Sequence, residues 1–420
     1  MKTILLILFS FCTPVASTWA LDHFASSQQY DRLFPYYVEL CAVTSSKFKG
    51  KGTDGKGGHA VFSLKGACKD DFFPYPRLRT CDPNPNDPEY LRGVVVSVES
   101  LFKNINWLLI GSKSFFLTGD VQEGTVLTKG VRDAVRDEAI ARGIFRNTLV
   151  HEEELKDKPT NVSLEQYVGD RTIGLNFAAN FGRDIYCTKL PVEKNILIDV
   201  IDYLNALNDK YFKGSEEYHW NLLADNCTHV LHNAMTGAGF WKGLKTNKSF
   251  PAWLFNLAVP ANEYLNFVEE GNDTPIEDVV WQYKNDYHRT LLLNHKYLPT
   301  RHGSLIEFTP MHTPNDLYEN NHEIFILDFP FFAPKTRLFK KLPTLSRYTD
   351  LATNLMWFRE RYAEVLQKES RRTAQWYKKR YQAERTIASD DFESFRMQYL
   401  SYISNELEDV NRKLLTLGIH

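Results

Sequence analysis

The chain has 420 residues, a formal charge of −2, 14% aromatic residues and six cysteines. This near-neutral balance leaves no basic footprint for a nucleic-acid partner, and no stretch beyond the first 20 residues is apolar enough to span a bilayer. The length suffices for two or three packed units, and the aromatic content suits a large core or an apolar groove.

Residues 1–20 read as a secretory signal. Lys2 supplies the positive start, Ile4 to Phe11 the short apolar run, and Thr18-Trp19-Ala20 a small-residue cleavage site before Leu21. An interfacial anchor helix is the alternative; Phe11 before Cys12 speaks against a lipoprotein signal. The mature protein is expected to be periplasmic or secreted. Residues 23–40 read as helical and aromatic, Gly50 to Gly58 as a loop, and His59 to Leu64 as a strand by alternation and β-branched or aromatic content. Asp70 to Pro88, dense in Pro, Asp and Asn, reads as a long surface loop. Gly93 to Glu99, Trp107 to Ile110 and Ser114 to Leu117 read as short strands, residues 131–142 as a helix, and Tyr186 to Leu190 as a strand. A helix is expected from Val192 to about Asn208, with Pro191 and Glu193 marking its start. A second spans 226–236, capped by Asp225 or Asn226 and ended by Gly237. Glu323 to Leu327 reads as a strand. Leu345 to Leu417 is strongly helical, broken near Ser389 into two long helices, either packed on the first domain or standing as a coiled-coil arm. There is no internal repeat.

Loss of the signal would remove Cys12 and leave Cys41, Cys68, Cys81, Cys187 and Cys227. In an oxidising compartment pairs persist as disulfides, and an odd number leaves one thiol over. Four cysteines allow three connectivities, of which Cys68–Cys81 is the favoured short closure. Two segments carry candidate chemistry. Gly57-Gly58-His59 delivers a histidine from a flexible loop onto a strand, and Ala224-Asp225-Asn226-Cys227-Thr228 delivers a cysteine onto the first turn of a helix. Unpaired N–H groups and the dipole at a helix start favour an anion, so a thiol there is expected to ionise readily, with an imidazole taking its proton.

These residues resemble the Lnb N-terminal periplasmic domain family over roughly residues 50–240. The match comprises the glycine-histidine strand, then Arg183-Asp-Ile-Tyr186 and a Pro-led helix, then Tyr218 with Leu222-Leu223 and Asn226-Cys227-Thr228. That family looks like a circular permutation of the papain-like thiol hydrolases, and NlpC-type peptidases are relatives. The resemblance implies an α+β papain-like core over 21–260, a small antiparallel sheet with packed helices. A mixed connecting region (261–344) and a C-terminal helical region (345–420) would follow. It further implies a Cys227 nucleophile, a His59 base and acyl transfer, in that family the N-acylation of lipoproteins. The long loop between Cys68 and Cys81 and the C-terminal extension depart from the family pattern and bear on the substrate more than on the thiol chemistry. A third group should hold the other ring nitrogen of His59. Ser63, on the same strand face, and the strand Val94 to Val98 are the candidates, with Asn226 and Thr228 as orienting or oxyanion groups. No cofactor is expected. The expected partner is a lipid, lipoprotein or peptide of the cell envelope, with peripheral membrane contact as an option. An NlpC-type peptidoglycan amidase and a non-catalytic binding or structural protein are the rival functions.

Three other motifs invite and fail tests of chemistry. His229 and His232 share a helix face, and His219 could join them, but no carboxylate or second cysteine completes a zinc set. Gly50 to Gly57 nearly spells a phosphate loop, yet Gly57 stands where Ser or Thr is required and a strand follows. Trp376-Tyr-Lys-Lys-Arg-Tyr381 could touch anionic headgroups; a solvated helix face with buried aromatics is the favoured account.

Overall fold

The computed structural model describes residues 29–319 and 336–419, apart from 48, 50–52, 55–57, 222–224, 242–258 and a few isolated positions. The expected signal, the loop glycines up to Gly57, the pair Leu222-Leu223 and the strand at Glu323 to Leu327 lie outside the described residues. Two units are distinguished, residues 1–35 and Tyr36–His420. In the first, residues 29–33 are helical and the rings of Tyr30 and Phe34 lie 4.8 Å apart.

The second unit is α+β. Among its described residues the strands are β1 (Tyr37–Val43), β2 (Ser46–Lys47), β3 (Thr53–Asp54), β4 (His59–Lys65), β5 (Ala67–Lys69), β6 (Leu78–Thr80), β7 (Val94–Val98), β8 (Trp107–Ile110), β9 (Ile185–Pro191) and β10 (Ile306–Thr309). The main sheet is antiparallel throughout, in the order β10-β9-β1-β4-β7-β8. β2 with β3 and β5 with β6 form two small ribbons. Among the described residues the α-helices up to residue 295 are α1 (Lys113–Thr118), α2 (Lys129–Ala141), α3 (Leu164–Thr172), α4 (Lys194–Phe212), α5 (Cys227–Gly237), α6 (Pro260–Asn272), α7 (Val279–Lys284) and α8 (Asp286–His295).

The centre of the sheet is buried on both faces. Successive side chains of a strand point to opposite faces. Val38, Leu40 and Ala42 of β1 and Ala60, Phe62 and Leu64 of β4 accordingly join one core, with Leu197, Val200 and Leu204 of α4, Val230 and Leu231 of α5 and Phe267 of α6. Cys41, Val43, Val61 and Val95 join a second core with Phe115 and Phe116 of α1, Val135 of α2 and Val168 of α3. Cys41 and Cys187 face each other across β1 and β9 and are disulfide-bonded. The Cys68–Cys81 pair closes across the β5–β6 ribbon.

Three elements differ from the sequence reading, the first being β6, a strand inside the stretch Asp70 to Pro88 read as a surface loop, where pairing with β5 and the bonds of the buried Leu78 backbone to Asn205 prevail over the local Pro and Asp content. Tyr37–Val43 is a strand, not the end of an aromatic helix, because a strand buried on both faces shows no polar alternation. Residues 114–117 lie in a helix. The Ser112 side chain accepts the Phe115 N–H at 3.1 Å, and Gly119, with φ 62°, ends the helix in the left-handed region, so the caps prevail over the strand propensity of Phe115-Phe116.

The C-terminal helical region comprises α9 (Thr336–Lys341), α10 (Ser346–Thr349), α11 (Leu351–Ser370), α12 (Ala374–Arg380) and α13 (Asp390–Thr416). Asp350 caps α11 and Ser389 caps α13, so the break near Ser389 is real, but the short helix α12 stands between the two long ones. These helices dock through buried polar anchors. Arg361 donates to the carbonyls of Asn272 (2.6 Å) and Thr274 (2.8 Å), and Asn354 accepts the Gly303 N–H at 2.8 Å. Tyr377 is buried and donates to Glu369. No helix among the described residues is long and apolar enough to cross a membrane.

The two disulfides are expected to differ in worth. Chain-entropy arguments assign about 5 kcal/mol to the Cys41–Cys187 closure, with its separation of 146 residues, and about 3 kcal/mol to Cys68–Cys81, separated by 13. Denaturant unfolding of the Cys41→Ala/Cys187→Ala and Cys68→Ala/Cys81→Ala double variants should show the larger loss for the first pair.

Candidate active site

Cys227 is the one described cysteine outside a disulfide, so the thiol left over by the odd count is the one at the helix start. The turn that presents it is braced from several sides. Asn221 and Asp225 exchange backbone hydrogen bonds of 2.9 and 3.0 Å, and the Tyr218 hydroxyl donates to the Asp225 carbonyl at 3.2 Å. Asn226 has extended backbone, and its side chain accepts the N–H groups of Thr228 (2.9 Å) and His229 (3.2 Å). His229 Nδ1 in turn accepts the Asn226 N–H at 3.3 Å. This is a reciprocal capping box in which histidine replaces the usual Glu or Gln.

α5 packs on β4, and the Cys227 sulfur lies beside the Ala60 N–H, the Thr228 hydroxyl and the N–H groups of Thr228 and Cys227 itself. Burial pushes the thiol above its ordinary value, and the surrounding N–H donors only partly oppose it. The expectation of a readily ionised thiol is therefore reversed. Desolvation of a residue that is 9% exposed outweighs the helix start, and the resting group is a neutral thiol.

His59 is the first residue of β4 and immediately precedes Ala60. It follows the parity of Val61 rather than that of Ala60, and its Nε2 lies 2.8 Å from the Ser97 hydroxyl. Ser97 donates to Asn176 Oδ1 at 2.5 Å, and Ser97 and Asn176 are fully buried. Burial first, and then the positive charge of Arg183, hold the His59 pKa down to about 3, with Asn176 opposing, so the imidazole is neutral at physiological pH.

The structure thus brings the histidine strand and the cysteine helix together at Ala60, while no hydrogen bond joins His59 to Cys227. Ser63 is a correction: it lies opposite Glu39 and Val95 and makes no bond to His59, because the ring is turned to Ser97 on the neighbouring strand. Ser97 belongs to the strand already considered for this role. Asn176 carries no local signal; it comes from a turn after α3 that only the tertiary fold brings to β7. The Asn226 side chain is committed to the cap, and both the hydroxyl and the N–H of Thr228 lie beside the sulfur.

The three histidines weighed as a metal set do not converge. His219 lies against His151, with rings 5.2 Å apart, His229 serves the cap, and His232 Nδ1 contacts Glu263 Oε1 at 2.6 Å. Among the described residues, the group of His, Cys, Asp or Glu side chains close enough to hold an ion is Glu39 with Cys41 and Cys187, and the two sulfurs are bonded to each other. No family model, curated protein or solved structure matches the chain.

The depressed pKa of His59 has a definite consequence for stability. With about 3 in the folded chain against about 6.5 unfolded, its contribution is complete above pH 6.5 and is lost as pH falls from there toward 3. Urea midpoints measured between about pH 7 and pH 4, the range in which the unfolded imidazole titrates, should fall less steeply for His59→Gln than for the parent chain.

Proposed function

We propose that this protein is an exported cysteine-dependent acyltransferase or hydrolase, with Cys227 as nucleophile and His59 as general base. One observation carries the reading. The one unpaired thiol among the described residues sits at a capped helix start among three backbone N–H groups, one of them from the residue that follows a neutral histidine. A neutral thiol and a neutral imidazole suit a base-assisted attack rather than a standing ion pair.

In this reaction His59 takes the thiol proton as the sulfur attacks the carbonyl of an ester or amide. The N–H groups at the start of α5 and of Ala60 are donors for the developing oxyanion. The imidazolium returns its proton to the departing alcohol or amine, leaving a thioester on Cys227. An amine or water then attacks the thioester, His59 takes the proton released, and the thiol is regenerated. An amine acceptor makes the protein a transferase and water makes it a hydrolase.

The resemblance to the Lnb N-terminal periplasmic domain family points to an envelope lipid, lipoprotein or peptide as substrate, and lipoprotein N-acylation as the particular case. A histidine strand preceding a cysteine helix that packs on an antiparallel sheet agrees with a permuted papain-like core. The two disulfides agree with export. An NlpC-type amidase would use the same pair of residues on a peptide. The non-catalytic reading, an envelope binding or structural protein, draws on the engagement of His59 with Ser97 rather than with the thiol.

Incubation of the full chain with an activated short-chain ester, followed by intact and peptide mass spectrometry, tests the proposal. An acyl adduct on Cys227 is expected, absent from Cys227→Ser and formed about a hundredfold more slowly in His59→Gln. Iodoacetamide labelling should titrate above the ordinary thiol value of ~8.5. A chain that forms no adduct, and whose labelling ignores His59→Gln, is the non-catalytic protein.

A further inference from the structure

We infer that Phe72 and Phe73, at the tip of the loop closed by Cys68–Cys81, and Leu149 and Trp220, beside the turn that presents Cys227, form a docking surface for a zwitterionic phospholipid bilayer. The choice of a bilayer rests on the function proposed above; the placement of the four side chains at one end of α4 does not.

Contacts along α4 fix where the loop points. The Leu78 backbone exchanges two hydrogen bonds of 2.9 Å with the Asn205 side chain, and the Pro76 carbonyl accepts from Asn208 at 2.7 Å. The Tyr75 hydroxyl donates to Asp209 at 2.5 Å, and its ring stacks on that of Phe212 at 4.1 Å. From Leu78 back to Tyr75 the chain therefore climbs α4 from its second half to its last residue, and Phe73 and Phe72 follow at that end. Phe72 is 97% exposed. Phe73 is exposed as well, with the Arg77 guanidinium 4.3 Å from its ring centroid. The disulfide and these anchors hold the base of a loop whose tip is turned to water.

The Cys227 turn lies at the same end of α4. The rings of Tyr211 and Tyr218 are 5.6 Å apart, and Tyr218 carries the hydroxyl that braces Asp225. Trp220, exposed, adjoins Asn221, which pairs with Asp225. Leu149, also exposed, is tied to the same segment: its carbonyl accepts the Lys103 N–H at 2.9 Å, and the Lys103 carbonyl accepts the Tyr218 N–H at 3.2 Å. A singly exposed apolar residue needs no explanation, whereas a group drawn from three segments marks an interaction surface. Charge selects the partner. Arg77 and Lys213 share Asp209, Lys210 faces Glu216, and Asp70 accepts the Phe72 N–H at 3.2 Å at the tip itself. These three cations and three carboxylates cancel, which matches headgroups carrying both signs and gives no pull toward an acidic surface. The tip offers protruding rings rather than a pocket, so its partner must yield around it. The boundary of a bilayer does so, and Phe, Leu and Trp side chains lodge there at headgroup depth. A bilayer held at this end brings lipid esters to the turn of Cys227.

Flotation of the full chain with phosphatidylcholine vesicles tests the surface. The parent chain should float with the vesicles, and Phe72→Ser/Phe73→Ser should lower its partition coefficient at least about tenfold. Leu149→Ser/Trp220→Ser should lower it as well. Met397→Ser/Leu415→Ser, which removes exposed apolar side chains from α13, should leave it unchanged, as should salt at about 0.5 M. A parent chain that does not float overturns the inference, and so does a folded serine variant of either pair that floats as well as the parent. Binding lost in salt, or lost equally in Met397→Ser/Leu415→Ser, overturns it too. A complex with a second protein that dissociates in Phe72→Ser/Phe73→Ser, without vesicle binding by the parent, makes a protein the partner in place of the bilayer. Vesicle binding by the parent and by Cys227→Ser, with no acyl adduct from the soluble ester, upholds the surface and overturns the thiol enzyme. Adduct formation without vesicle binding does the reverse.

Discussion

Burial of the central strands on both faces is the constraint on which the other features depend. β1 and β4 lie in the middle of a six-stranded sheet with a helical core against each face, so every residue along them is committed to one side or the other. At the start of β4 this commitment separates two functions carried by adjacent residues. The side chain of His59 goes to Ser97 and the polar cluster, while the backbone of Ala60 offers its N–H to the sulfur at the start of α5. A shift of one residue in register would exchange the faces of both and dismantle the arrangement. The Cys41–Cys187 disulfide ties β1 to β9 within the same sheet and helps hold that register.

The site also shows two opposing effects meeting at one sulfur. The first turn of α5, capped by Asn226 and His229, gathers N–H groups that favour a thiolate. Burial opposes ionisation, and burial prevails. His59 lives under the same rule, with desolvation and Arg183 both working against its charged form. The result is a pair of groups that are both uncharged at rest. Neither the thiol nor the imidazole is charged at rest, and the buried charge beside them is that of Arg183. In the acyl transfer proposed above, charge would develop beside these N–H donors.

The helices beyond residue 336 are attached by a different chemistry. Arg361 and Asn354 satisfy backbone groups of the segment between α6 and β10, and Arg301 pairs with Glu193 and Glu406. Buried polar anchors of this kind are costly if half-satisfied, and so they specify one docking geometry more sharply than apolar packing alone. The path from Glu193, ahead of α4, through Arg301 to Glu406 on α13 links the helix beneath the sheet to the end of the chain.

What the residues announce locally was legible from the sequence. The odd cysteine, the Asn226 cap, the helix led in by Pro191 and Glu193, and the strands at His59 and Val94 are all set by interactions within a few positions. Their chemistry is therefore written in consecutive residues. Residues 37–40 misled because a strand buried on both faces loses its alternation, and 114–117 because Ser112 and Gly119 act from outside the segment. The partner of His59 could be narrowed to the strand at Val94 to Val98 but not to Ser97, and Asn176 was out of reach. The separations are 38 and 79 residues, and a hydrogen bond across such distances is decided by sheet register and by how a remote turn packs on the sheet. The ionisation of Cys227 was decided in the same way. The helix start that favours a thiolate is a local property, whereas the burial that overrides it exists only once α5 has closed onto β4.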